Sequence, residues 1–191
     1  MKAHKKSKRQ AIRWILLSLV VCFIIGKWVV KPRRDALLKE QLYQYMLEKA
    51  NRLEVFQSAV AQNDGKTLNT CVYFVSEALR ENDIPIAEGT CNTTQLISEL
   101  KSKWWRKDES YQNLKPGDIA FTTDTAGNKY GKPTHCYIFM KWAKEGNYDY
   151  AYICDNQAND YGGKLYHIRN IRNPETVNGA IKEAFAFFMK P

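Results

Sequence analysis

An α+β domain, with helices packed on an antiparallel β-sheet and a single transmembrane helix before it, is the fold class the sequence predicts. Three observations predict it: a long apolar run near the start, helical periodicity through the first half of the remainder, and a hairpin signal in the second half. The run is residues 14–30, holding Ile, Leu, Val and Phe and broken only by Lys27. At about 1.5 Å per residue it reaches roughly 26 Å, close to a hydrocarbon core of about 30 Å. Trp14 and Trp28 suit the two interfaces, and no small-residue cleavage site follows. A retained signal anchor is therefore expected. The basic leader 1–13 carries more Lys and Arg than the flank after the run, which predicts a cytoplasmic N-terminus and a periplasmic or extracellular domain.

Beyond the anchor, Leu37, Leu38, Leu42, Tyr45, Met46, Ala50, Leu53 and Phe56 follow a helical spacing as far as about Ala61. Residues 31–52 are read as a helical juxtamembrane stalk, and residues 53–191 as the domain. Asn63-Asp64-Gly65 ends this helix. In Asn69-Thr70-Cys71-Val72-Tyr73-Phe74-Val75-Ser76-Glu77-Ala78-Leu79, positions 71, 74, 75, 78 and 79 share one helical face and are apolar. Thr67, Asn69 and Thr70 offer oxygens to cap its start. A further short helix is expected over about 93–101, and Trp104-Trp105 suits either the core or a stacking surface. Pro116-Gly117-Asp118 signals a turn into a strand at Ile119-Ala120-Phe121. Two strands, 134–140 and 148–156, flank the turn Glu145-Gly146.

Charge is unevenly placed. The net charge of +9 is concentrated in residues 1–34, which hold ten bases and no acid, leaving nineteen bases against twenty acids downstream. A nucleic-acid binder needs a basic stripe on its folded part, and none is read here. Five cysteines stand singly at 22, 71, 91, 136 and 154, without a CxxC pair. That spacing speaks against a structural zinc site and a disulfide-dense scaffold. No metal and no cofactor is expected.

Cys71 in a first helical turn lies near the positive end of the helix dipole, which favours the thiolate; the bland alternative is a small core residue. A base must then be His135 or His167, because His4 lies in the leader. If the hairpin turns at Glu145-Gly146, opposed residue numbers sum to 290 or 291, and His135 faces Asp155 or Asn156. A carboxylate both orients an imidazole and stabilises its charged form, so Asp155 is preferred, with the parity open. Gln157 falls on the same side as Asp155. The same register brings Cys136 near Cys154, as core residues or as a disulfide. No acid is placed opposite His167 by any recognisable turn.

The order of a Cys-opened helix, Leu-Lys-Pro-Gly-Asp-Ile-Ala-Phe (114–121), Thr-His-Cys-Tyr-Ile-Phe (134–139) and Ile-Cys-Asp-Asn-Gln (153–157) resembles the papain-like cell-wall hydrolases, specifically the CHAP amidase/peptidase family and its NlpC-type relatives. The Asp-Cys-Ser-Gly signature of the NlpC branch is absent, and Thr134 stands where glycine or serine commonly precedes the histidine. The resemblance implies a papain-like fold over roughly residues 53–191, with Cys71 as nucleophile, His135 as general base and Asp155 as orienting acid. Asn156 or Gln157 would be the amide that often follows, and Asn69 is a candidate oxyanion donor. It also implies hydrolysis of an amide in peptidoglycan stem peptide, by an enzyme held to the membrane through residues 14–30. The alternatives are a non-catalytic anchored binding module of the same fold, or a papain-like protease or acyltransferase with another substrate.

Overall fold

A computed structural model describes residues 14–23 and 31–191 of the chain. The chain divides into two units, Met1–Leu38 and Lys39–Pro191. In the first unit, residues 14–23 form helix α1, whose apolar side chains are exposed. Among the described residues no helix is long and apolar enough to cross a membrane. The expected transmembrane anchor, and the single-pass localisation built on it, are therefore corrected. The basic leader 1–13 and residues 24–30 of the apolar run lie outside the described residues.

The expected continuous helix after Pro32 is two helices, α2 (Lys31–Leu47) and α3 (Lys49–Gln62), parted at Glu48, whose ψ of 125° is extended. The break is held by side chains that satisfy the carbonyls at the end of α2. Arg52 Nη1 donates to the carbonyls of Met46 and Leu47 at 2.6 Å each, and Asn51 Nδ2 donates to Tyr45 O at 3.0 Å. Periodicity carries across such a break because both helices bury one face: Leu42 and Met46 from α2, Val55 and Ala59 from α3.

Helix α4 (Cys71–Arg80) buries the predicted face, Cys71, Phe74, Val75, Ala78 and Leu79, and also Val72 and Ser76. It packs on α3, on α5 (Thr93–Ser102) and on the sheet. The strands are β1 (Arg106–Asp108), β2 (Ile119–Thr122), β3 (Cys136–Lys144), β4 (Asn147–Cys154), β5 (Tyr166–Asn170), β6 (Glu175–Val177), β7 (Ala180–Lys182) and β8 (Phe185–Lys190). Six form one antiparallel sheet in the order β1-β8-β2-β3-β4-β5, and β6-β7 is a separate hairpin. Residues 136–140 of β3 are all buried, because both faces are covered. Tyr137 and Phe139 join Ala120, Ile153 and Phe188 in one core layer, and Cys136, Ile138 and Met140 alternate to the other face. Cys154 belongs to that other face, its Sγ donating to Met46 O of α2 at 3.8 Å.

The Pro116-Gly117-Asp118 turn ties α2 to the sheet. Asp118 is fully buried; its Oδ1 accepts from Lys39 Nζ at 2.6 Å and its Oδ2 from Lys115 N at 2.7 Å. Gly117 sits at φ +84°, and a Cβ there would collide with the backbone carbonyl of Lys39. Gly117→Ala is expected to cost about 1–3 kcal/mol from left-handed strain plus that collision. Urea unfolding of the full chain measures it, and an unchanged midpoint would contradict the close approach.

Candidate active site

The loop before α4 is held from outside the helix. Asn63 Nδ2 donates to Lys66 O, Leu68 O and Thr70 Oγ1, and Thr70 Oγ1 in turn donates to Lys66 O at 2.8 Å. The expected side-chain cap on α4 is therefore absent: Thr70 is the N-cap residue, but its hydroxyl is spent on the preceding loop. First-turn N–H groups have no intrahelical acceptor. Without a capping oxygen they are left to the space in front of Cys71. That space is a cleft of ≈ 610 Å³ lined by Asn69, Cys71, Asn92, Asp124, Lys132 and Thr134 among others. Cys71 itself is only 8% exposed, so its sulfur is reached through the cleft.

His135 is delivered by the start of β3. Its backbone N–H donates to Thr122 Oγ1 at 3.0 Å, its carbonyl accepts from Thr122 N at 3.1 Å, and Thr122 Oγ1 meets Thr134 Oγ1 at 2.9 Å. The ring Nε2 lies 2.8 Å from Asp155 Oδ2. A carboxylate only accepts, so Nε2 carries the proton and Nδ1 is the nitrogen left to face the Cys71 thiol, whose charge acts on the ring. Cys71, His135 and Asp155 are thus coupled electrostatically from α4 through the start of β3 to the end of β4.

The route to that contact differs from the expected register. Lys144↔Asn147 obeys the predicted turn, but irregularities then shift the pairing to Trp142↔Ala151, Phe139↔Ile153 and Ile138↔Cys154. Continuing that register sets Asp155 level with Tyr137. Its carboxylate reaches His135 as a diagonal neighbour on the same face. The bulges also separate Cys136 from Cys154: Cys136 pairs with Phe121 of β2, and both thiols are free. Cys136 instead acts on the titration of the Cys71 thiol.

Electrostatics follow from these contacts. The Cys71 thiol is held well below its ordinary range, first by the hydrogen bond from Cys136, then, against the opposing effect of burial, by the hydrogen bond and charge of His135. Burial would push the His135 ring down, but its bonds to Asp155 and Cys71 outweigh that and raise it to about 9. For Asp155, burial pushes up, while His135, His167 and Arg169 bring it down to about 2. Cys136 is driven well above the ordinary thiol range, by burial first and then by the Cys71 charge. The resting state this favours is thiolate, imidazolium and carboxylate, with Cys136 as a neutral S–H donor.

Asp155 is anchored by more than His135. Its Oδ1 accepts from Gln157 N at 2.9 Å, and its N–H donates to Leu165 O at 3.1 Å. Gln157 Oε1 accepts from Arg169 Nη1 at 3.4 Å, while Arg169 Nη2 donates to Glu183 O at 2.7 Å. Asn156 turns the other way, donating from Nδ2 to Thr67 O at 3.1 Å, which ties the end of β4 to the loop before Cys71. Of the two residues left open by the sequence, Asp155 is the imidazole's partner. Asn69 is exposed at φ +58° and lines the cleft.

Thr122 and Arg169 escaped the sequence, and so did the roles of Cys136 beside Cys71 and of His167 behind Asp155. His167 Nε2 lies 3.8 Å from Asp155 Oδ1, and its Nδ1–H donates to Lys164 O at 3.1 Å. Its ring stacks on Tyr161 with centroids 3.6 Å apart, and burial lowers its proton affinity, so it stands neutral behind the carboxylate. Only the β4–β5 pairing, Ile153↔His167, would have revealed it. The residues joining those strands include a 3-10 turn, Ala158–Tyr161, and no short hairpin signal. Trp105 is buried and Trp104 exposed, and neither lines the Cys71 cleft. Among the described residues no group of three or more His, Cys, Asp or Glu is placed to hold a metal ion. Comparison with models of known protein families, with curated proteins and with solved structures finds no match to this chain.

Proposed function

We propose that the protein is a cysteine hydrolase that cleaves an amide bond, with the stem peptide of peptidoglycan as its substrate class. One observation carries the reading: a depressed thiol at a helix start lines an open cleft, and behind it an imidazole is bonded to a buried carboxylate. The wall-peptide substrate rests on the motif order that resembles the CHAP family.

In this mechanism the Cys71 thiolate attacks the amide carbonyl carbon. The negative charge moves to the carbonyl oxygen, which the free first-turn N–H of Cys71 and the side-chain amide of Asn69 receive. The His135 imidazolium gives its Nδ1 proton to the leaving nitrogen as the C–N bond breaks, leaving a thioester. Water, losing a proton to the same Nδ1, then hydrolyses the thioester and restores the thiolate–imidazolium pair. Asp155 keeps Nε2 protonated and the ring oriented throughout.

Alkylation tests the first requirement. With the full chain at pH 6, iodoacetamide is expected to label Cys71 well before Cys91, which is exposed and therefore has the easier access. Peptide mapping by mass spectrometry reads the order. Equal or slower labelling of Cys71 would remove the thiolate on which the reading stands.

A further inference from the structure

The Cys71 cleft does not end at the thiol. A second cleft, of ≈ 480 Å³, shares Lys132 and Pro133 with it. Helix α5 walls both: Thr93 at its start lines the first, and Thr94, Ile97, Ser98 and Lys101 line the second. Thr93 Oγ1 donates to Pro133 O at 2.8 Å, which pins the helix start to the wall that the two clefts share.

The second cleft has a marked chemistry. Lys101, Lys107, Lys129 and Lys132 line it, and no aspartate or glutamate does. Residues 35–191 hold nineteen bases against twenty acids, so this is a local concentration and not a general excess. Lys107 is paired with Glu109 at 2.8 Å and lies over the Phe187 ring at 4.4 Å. No ion pair among the described residues engages Lys101, Lys129 or Lys132, and all three are exposed. Ile97, Phe187 and Met189 supply an apolar floor beneath these cations. An apolar floor with cations over it suits a chain whose backbone lies flat and whose carboxylates reach up to the lysines.

From these observations we infer that the second cleft is a substrate subsite for a carboxylate-bearing peptide segment, continuous with the scissile amide at Cys71. The inference rests on the hydrolase reading above for its link to catalysis. Thr94 to Lys101 spans about 10 Å along the helix at roughly 1.5 Å per residue, equal to about three residues of extended chain at about 3.3 Å each. The second cleft therefore has room for about three residues of the bound segment.

The test uses the full chain carrying Cys71→Ala, so that nothing turns over, and fluorescein-labelled hexaglutamate and hexaglutamine peptides at low salt. Anisotropy is expected to show hexaglutamate binding at least tenfold tighter than hexaglutamine. Adding Lys101→Gln, Lys129→Gln and Lys132→Gln should weaken hexaglutamate at least tenfold with an unchanged melting temperature, since all three side chains are on the surface. In the unsubstituted chain, saturating hexaglutamate should slow iodoacetamide labelling of Cys71. Equal binding of the two peptides, or binding indifferent to the three lysines, overturns the subsite. Tighter binding of a thymidine oligonucleotide through the same lysines overturns the peptide assignment. Binding that leaves Cys71 labelling unchanged overturns the continuity with the thiol. Failure of the hydrolase reading is seen separately, in the alkylation order without any peptide.

Discussion

Cys71→Ala is expected to lower amide hydrolysis by at least about 10³-fold, and His135→Ala by a similar factor, because each removes a member of a unit that acts together. The measurement is release of new amino groups from purified peptidoglycan by the full chain. Cys136 is not expected to rescue the first variant. Burial, and then the Cys71 charge, hold its thiol well above the ordinary range, so it stays protonated where Cys71 is ionised. The His135→Ala chain should also lose the fast alkylation of Cys71 at pH 6, since the imidazolium is one of the groups that hold the thiol down. Substantial hydrolysis in either variant would end the thiol mechanism. Folding is checked by the melting temperature, which in Cys71→Ala should fall only slightly because a single buried sulfur is lost.

Asp155→Asn carries the second large effect, a drop in kcat/KM of about 10²–10⁴-fold accompanied by a changed pH profile. In the parent chain activity should rise with pH as Cys71 ionises, well below the ordinary thiol range, and fall as His135 loses its proton at about 9. The asparagine keeps a hydrogen-bonding side chain in place but removes the charge that holds the imidazolium, so the basic limb should move down from about 9 toward the ordinary 6.5. A basic limb that stays at about 9 would show that Asp155 does not hold the ring's charge. The same substitution has a stability signature. Asp155 titrates at about 2 in the fold against an ordinary 3.8, so its contribution is complete above about pH 4 and lost as pH falls from there through about 2. The parent chain should therefore lose stability faster than Asp155→Asn across that acid window. The raised His135 works in the opposite direction: its contribution is complete below about 6.5 and is lost as pH rises through about 9.

Much of this architecture is legible locally. The buried face of α4 follows from residues three and four apart, and the turn at Glu145-Gly146 is found with its Lys144↔Asn147 pair and Gly146 at φ +75°. What local pattern misreads is anything that depends on counting through an irregularity. Two register shifts between β3 and β4 move Asp155 from opposite His135 to diagonal from it, and carry Cys136 away from Cys154. The membrane span expected over residues 14–30 is corrected differently: among the described residues no helix is long and apolar enough to cross a membrane. The Asn178-Gly179 turn of the β6-β7 hairpin was also readable, with both residues at positive φ.

By itself the amino-acid sequence determined that helices precede an antiparallel sheet, that one helix opens on Cys71, and that a hairpin brings His135 toward Asp155 or Asn156. These follow from periodicity and turn chemistry, which act over a few residues. Tertiary structure alone decided which polar groups meet: Asp155 and not Asn156 beside the imidazole, Cys136 near enough to act on the Cys71 thiol, neutral His167 behind the carboxylate, and three exposed lysines lining one cleft. The physical reason is that these contacts join chain segments dozens of residues apart. Their geometry is set by bulges, by strand order and by the packing of α4 and α5 on the sheet, none of which leaves a mark at fixed spacing along the chain.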